Sequence, residues 1–156
     1  MPDHGMSILG GCLCGAVRYE ATTSPLGGYY CHCRMCQRNY GLVQATLQFS
    51  EGFSFTRGAP RFFKATAFAK RAFCGDCGSA LLFTYEGRPD VWVLVGSLDH
   101  PEDWPLTKDA SWGRSGHYHF DLRIPWFDIA DGLPRRGSDH TPLRDAAVAR
   151  SGQSTE

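Results

Sequence analysis

Seven cysteines dominate the chemistry available to this chain, and their spacing sorts them into three groups. Cys12 and Cys14 form C-x-C, Cys31, Cys33 and Cys36 form C-x-C-x-x-C, and Cys74 and Cys77 form C-x-x-C. Short-spaced thiols of this kind read as metal ligands before they read as disulfides, and an odd count adds to that reading. Residues 12–20 (CLCGAVRYE) and 74–86 (CGDCGSALLFTYE) echo each other, each giving a cysteine pair, a Gly, a small residue and a strand. The echo groups Cys12, Cys14, Cys74 and Cys77 into a closed, structural zinc site that clips together a loop of about sixty residues. Because i and i+2 on a strand share a face, Cys12 and Cys14 can share one ion only if the backbone bends there.

Cys31, Cys33 and Cys36 remain as a trio on one short segment. Three protein ligands with an open fourth position separate a catalytic zinc from a structural one. A fourth ligand from His32, His117, His119 or an Asp would close the site instead, although His32 points away from its neighbours if the segment is extended. Three thiolates and Zn²⁺ carry a net charge of minus one, which blunts the ion for activating water. The same electron-rich centre suits a small thiol, which at neutral pH is only a few per cent thiolate when free.

The elements that must hold these cysteines are mostly strands. AVRYEAT (16–22), VQATLQF (43–49), ALLFTYE (80–86), VWVLVGSL (91–98) and HYHFDLR (117–123) have strand character, and the stretch from Gly87 to Asp90 has the composition of a hairpin turn. Helical turns are expected near 36–40 and 125–129. Trp112, Trp126 and Phe127 are expected in the core. Residues 1–7 and 135–156 are expected to be flexible, with RDAAVAR (144–150) forming at most one weak helix, which leaves a single domain over 8–134.

Bulk properties narrow the function. Sixteen basic and sixteen acidic residues give zero formal net charge, which argues against nucleic acid. No apolar run is long enough to span a bilayer, and MPDHGMSILGG lacks the pattern of a secretory signal, so a reducing, cytoplasmic setting is expected.

With those residues in hand, the chain resembles the glutathione-dependent formaldehyde-activating enzymes, the centromere-protein-V-like family. The resemblance rests on GGCLCGAVRYE, YCHCRMCQRNYG, RAFCGDCGSALLF, VGSLDHP and HYHFDLRIPWFDIADGLP, in order from residue 10 to 134. It implies a mainly β fold, the β-tent, with few short helices and two zinc ions. One would be structural on Cys12, Cys14, Cys74 and Cys77, the other catalytic on Cys31, Cys33 and Cys36. It implies a carbon–sulfur lyase activity joining glutathione and formaldehyde, or a related small thiol and aldehyde, with a non-catalytic zinc-stabilised binding module as the alternative. Arg34 stands where relatives often carry a small hydroxyl residue; Arg34 and Arg38 could pair with glutathione carboxylates. His117 matches a common family histidine and could donate to a substrate oxygen.

Overall fold

A computed structural model describes residues 7–110 and 112–138. The expected helix at 144–150 and the remainder of both termini lie outside the described residues. In chain order the strands are β1 (Ile8–Gly11), β2 (Arg18–Ala21), β3 (Gly27–Cys31), β4 (Gln44–Phe49), β5 (Phe53–Arg57), β6 (Arg61–Thr66), β7 (Ala69–Phe73), β8 (Ala80–Tyr85), β9 (Val91–Leu94) and β10 (Arg114–Tyr118). One α-helix, α1 (Arg34–Tyr40), and three single-turn 3-10 helices complete the described elements. The fold is therefore mainly β with few short helices.

β1, β2 and β5 make a three-stranded antiparallel sheet. The other strands make a seven-stranded sheet in the order β10-β3-β4-β9-β8-β7-β6. It is antiparallel except at its end, where β10 pairs parallel with β3. Tyr19 and Ala21 from the small sheet meet Leu47, Phe49, Leu82 and Val93 from the large one in a single core. Leu47, Leu81 and Val93 are fully buried, and truncation of either leucine to Ala should cost about 2–5 kcal/mol.

β4 carries both faces of the large sheet. Leu47 and Phe49 point to the core, whereas Gln44 and Thr46, on the alternate positions, are buried on the opposite face. Register places Cys31 opposite Gln44 and Tyr29 opposite Thr46, so this second, polar buried face is the one that carries the trio.

The hairpin turn expected at 87–90 joins β8 to β9, with Gly87 at φ 74°. The strand expected over 117–123 instead begins at Arg114 and ends at Tyr118. His119 takes a left-handed conformation (φ 51°) that breaks the strand, and Phe120–Leu122 forms a 3-10 turn; residues 125–129 are not helical. Trp126 is 78% exposed and not in the core, because it caps a loop that runs over the surface. Trp112 packs edge-on to the buried Trp104 at 5.6 Å. The chain stays engaged past 134: Arg135 bridges to His117, the Arg136 amide donates to the His117 carbonyl, and Ser138 bonds Asp121. Arg135 also reaches Asp128 and Asp131. Among the described residues no helix is long and apolar enough to cross a membrane.

Candidate metal centres

The two echoing segments fold alike. In each, the first cysteine donates its amide to a carbonyl five residues on, Cys12 to Val17 at 3.1 Å and Cys74 to Ser79 at 2.9 Å. In each, the cysteine carbonyl accepts from a glycine amide, Gly15 at 3.2 Å and Gly78 at 2.8 Å. These glycines sit at φ 79° and 76°, and a side-chain Cβ at either position would meet nothing within 4 Å, so the backbone angle alone demands glycine. The turn after Cys12 provides the bend that C-x-C needs. The knuckles face each other, with Cys12 Sγ 3.6 Å from Cys14 Sγ and Cys14 Sγ 3.8 Å from Cys74 Sγ.

Those separations fit ligands of one metal ion and do not fit a disulfide. Four sulfurs at about 2.3 Å around a tetrahedral ion lie about 3.8 Å apart, whereas a disulfide needs about 2.05 Å. All seven cysteines are free, and the four sulfurs of this group fall within 4.8 Å of one another. Cys12 and Cys74 are buried in the main core while Cys14 and Cys77 are exposed, so an ion here would rivet β1 and β2 to β7 and β8 from the surface inward.

The trio sits where β3 hands the chain to α1. Cys31 ends the strand, Cys33 is the N-cap residue in extended conformation, and Cys36 lies in the first turn. The Cys33 sulfur accepts from the Cys36 amide at 3.4 Å, so one thiol both caps the helix and faces the cluster. Gly41 ends α1 at φ 100°, its amide donating to the Gln37 carbonyl. The three sulfurs lie within 4.8 Å of one another, and no fourth Cys, His, Asp or Glu joins the group among the described residues. Crowding limits the deprotonated state. Hydrogen bonds from Cys31 and Cys36 push Cys33 down to about 2, and the same contact with Cys33 drives Cys31 well above the ordinary thiol value. Three thiolates at this spacing call for a cation among them, and both groups fit a thiophilic, zinc-like ion.

Three further side chains serve the trio. Cys36 Sγ lies 2.7 Å from Gln44 Oε1 and 3.8 Å from Arg71 Nη2. Arg71 also donates to the Tyr40 hydroxyl at 2.9 Å. None of the three is legible as a site residue in sequence. Gln44 and Thr46 alternate with apolar positions as though facing solvent. The one available signal was Arg71, a charge on the buried phase of the AKRAF strand, where Ala69 and Arg71 are buried and Lys70 is not.

The predicted substrate-contact residues separate. Arg34 and Arg38 are exposed on α1, with Arg34 donating to Gln37 Oε1. His117 is fully buried, its Nδ1 2.8 Å from His32 Nε2 and its Nε2 2.7 Å from Asp131 Oδ2. Both of its ring nitrogens are thus taken up within the protein. His32, sandwiched between Cys31 and Cys33 in sequence, turns its ring into this chain and stacks on His117 at 5.1 Å. Burial, and then the neighbouring His117, push His32 down to about 4, which keeps it neutral. Gln37 ties the helix to the same region by donating to the carbonyls of His32 and Leu122. The relay therefore fixes the backbone that presents the trio.

A groove of about 740 Å³ runs between the first knuckle and the C-terminal end of α1. Leu13 and Ser79 line one side, and Tyr40 and Gln44, the partners of Arg71 and Cys36, line the other.

A mainly β domain with a four-sulfur and a three-sulfur centre is the class that this fold and these sites define. The sequence model described as "Glutathione-dependent formaldehyde-activating enzyme" matches residues 7–113, and the chain belongs to that family. A crystal structure of a Rhodobacter sphaeroides protein is similar, at 30% identity over 61% of this chain and 93% of that one, with a TM-score of 0.49. No curated protein matches the chain.

Proposed function

We propose that the protein is a zinc-dependent enzyme of the carbon–sulfur lyase type, which joins a small thiol such as glutathione to an aldehyde such as formaldehyde, and reverses that reaction. The supporting observation is the contrast in ligand number: four convergent sulfurs in one centre, and three in the other with no fourth donor among the described residues. Cys31, Cys33 and Cys36 would hold a zinc ion, which would supply a Lewis-acidic centre with room for one more donor, where a bound thiol would be more acidic than in water.

In the reaction, a sulfur–carbon bond forms as the thiol proton leaves. The carbonyl π pair moves onto oxygen, which then takes up a proton to give the hydroxymethyl thioether. Formaldehyde is highly electrophilic, so the protein's task is mainly to hold the reactants together and steady the developing oxyanion, contributions worth several kcal/mol. The β3–α1 corner fixes the three sulfurs, and the His32–His117–Asp131 relay keeps that corner in place. Arg34 and Arg38, one helical turn apart on the exposed face of α1, offer charge to the carboxylates of a glutathione-like thiol. The groove behind Gln44 has volume for a tripeptide, although the three cysteines themselves do not line it.

Cys33→Ser tests the reading. The variant should stay folded, lose one equivalent of zinc and stop exchanging label between formaldehyde and S-hydroxymethylglutathione in an NMR assay. Exchange at the wild-type rate would defeat the assignment. Wild-type protein that holds two zinc ions yet neither binds glutathione nor accelerates the exchange would be a binding module of the same fold.

A further inference from the structure

Arg71 breaks an ordinary rule of protein interiors. It is 7% exposed, yet the ion pairs of the described residues give it no carboxylate partner. A buried guanidinium without an anion is strongly destabilising. What surrounds it is largely neutral. The Tyr40 hydroxyl accepts from Nη1, and the rings of Tyr40 and Phe83 lie 5.3 and 5.4 Å from the guanidinium carbon. Burial raises the Tyr40 phenol further, so it supplies no charge. Nε has no hydrogen-bond partner among the described residues. The remaining neighbour is the buried Cys36 sulfur, 3.8 Å from Nη2.

Charge counting gives this contact a purpose. Three thiolates and a dication total minus one, and a thiolate arriving from outside would bring the total to minus two in a site where Cys36 is 3% exposed. The four-sulfur centre reaches minus two as well, but there Cys14 and Cys77 are exposed and water screens the excess. In the trio Cys31 and Cys33 are only partly exposed and Cys36 is buried, so water screens the excess less there. Resting on the thiol-binding reading above, we propose that Arg71 is the built-in counter-charge of the trio, a positioning residue that lets the metal-loaded site take on an anionic thiolate. Arg71 cancels the resting minus one, so the incoming thiolate leaves the site at minus one and not at minus two. Gln44 assists from the other side of Cys36. Its Nε2 lies 3.3 Å from Thr46 Oγ1, and turning the amide over would let nitrogen donate to a Cys36 thiolate while oxygen accepts from the threonine.

The test uses the full-length protein loaded with Co²⁺ in place of Zn²⁺, so that a new fourth donor is read from the cobalt absorption bands. Three probes are titrated: 2-mercaptoethanol, which binds as an anion, imidazole, which binds neutral, and reduced glutathione. Arg71→Met should weaken 2-mercaptoethanol about tenfold or more while moving imidazole less than about threefold. Arg71→Lys, which keeps the charge, should hold 2-mercaptoethanol within about fivefold of wild type. Should Arg71→Met fail to accumulate, Arg71→Gln removes the charge while keeping a donor and carries the same expectation. Equal losses for the anionic and neutral probes, or no loss for either, would overturn the proposal and leave Arg71 a packing residue. A wild-type protein with no thiol-dependent band would overturn it too. A wild type that binds 2-mercaptoethanol but not glutathione would remove glutathione as the substrate and leave the role of Arg71 standing.

Discussion

The four-sulfur and three-sulfur centres use the same ligand chemistry, but the chain builds them in opposite ways. The first draws on two knuckles some sixty residues apart, each closed by a glycine turn, and two of its sulfurs belong to the main core. The second is made by six consecutive residues at a strand-to-helix corner, on a polar face separate from that core. A centre assembled from distant segments has its binding energy coupled to folding, whereas one assembled locally can gain or lose its metal while the fold persists. Ligand number alone therefore does not assign a structural or a reactive role; contact order and burial enter equally.

Removing one ligand from each centre puts this contrast under the greatest strain. Cys74→Ser deletes a sulfur that is 1% exposed and sits in the core. It should forfeit most of a metal contribution of about 10–16 kcal/mol, which exceeds the whole stability of an ordinary domain. The variant should be insoluble or lack a cooperative melting transition by circular dichroism. Cys33→Ser should melt cooperatively and within several degrees of wild type. Equal damage from the two changes would show that both centres are structural.

Chelation separates them with the native sequence. With excess EDTA at neutral pH, one equivalent of zinc should leave early with no change in far-ultraviolet circular dichroism, and the second should leave only with unfolding. A single release phase coupled to unfolding would erase the distinction.

The knuckle turns offer a smaller, local probe. Gly15→Ala and Gly78→Ala meet open space, so their cost is that of holding alanine at positive φ, about 1–2 kcal/mol each. That should lower the melting temperature by roughly 2–8 °C with both zinc ions retained. A neutral result at either site would mean that the knuckle relaxes away from its left-handed turn.

How much of this was legible in the sequence follows the same divide. The cysteine groups, their division and the kinship of the two knuckles were legible because short-range spacing carries them. Strands with clear alternation, such as 44–49, or with a short continuous apolar run, such as 80–85, were legible for the same reason. β3 and β6 were not, because GGYYC and RFFKAT have no alternating pattern and acquire strand geometry from their partners. The end of β10 was hidden because His119 adopts a left-handed angle that its residue type does not announce. The His32–His117 contact spans 85 positions and Arg71 meets Cys36 across 35, so spacing does not encode either partner; Gln44 is only eight positions from Cys36, but its place in an alternating strand reads as solvent-facing.

The smallest effect compares two arginines. Arg71 is buried against sulfur near the trio, while Arg18, beside the knuckle, makes a two-pronged contact with Asp99 at the surface. The Arg18 hydrogen bonds hold the Asp99 carboxyl below its ordinary value, so the folded state binds that proton less readily than the unfolded chain. The pair's contribution is therefore fully present above the unfolded carboxylate value near 4 and is lost as pH falls through the lower folded value. Solvent screens a pair whose side chains are 29% and 34% exposed, which limits its worth to about 0.2–1 kcal/mol. A double-mutant cycle of Arg18→Met and Asp99→Asn, read by denaturant titration at pH 7, should return a coupling of that size. The coupling should shrink by half or more in 1 M salt and vanish near pH 2. Salt should leave the discrimination between thiol and imidazole by Arg71 nearly unchanged, because no bulk ions reach a guanidinium so deeply enclosed. If both arginines responded to salt alike, Arg71 would be acting through solvent, and the contrast between a more and a less screened centre would fail.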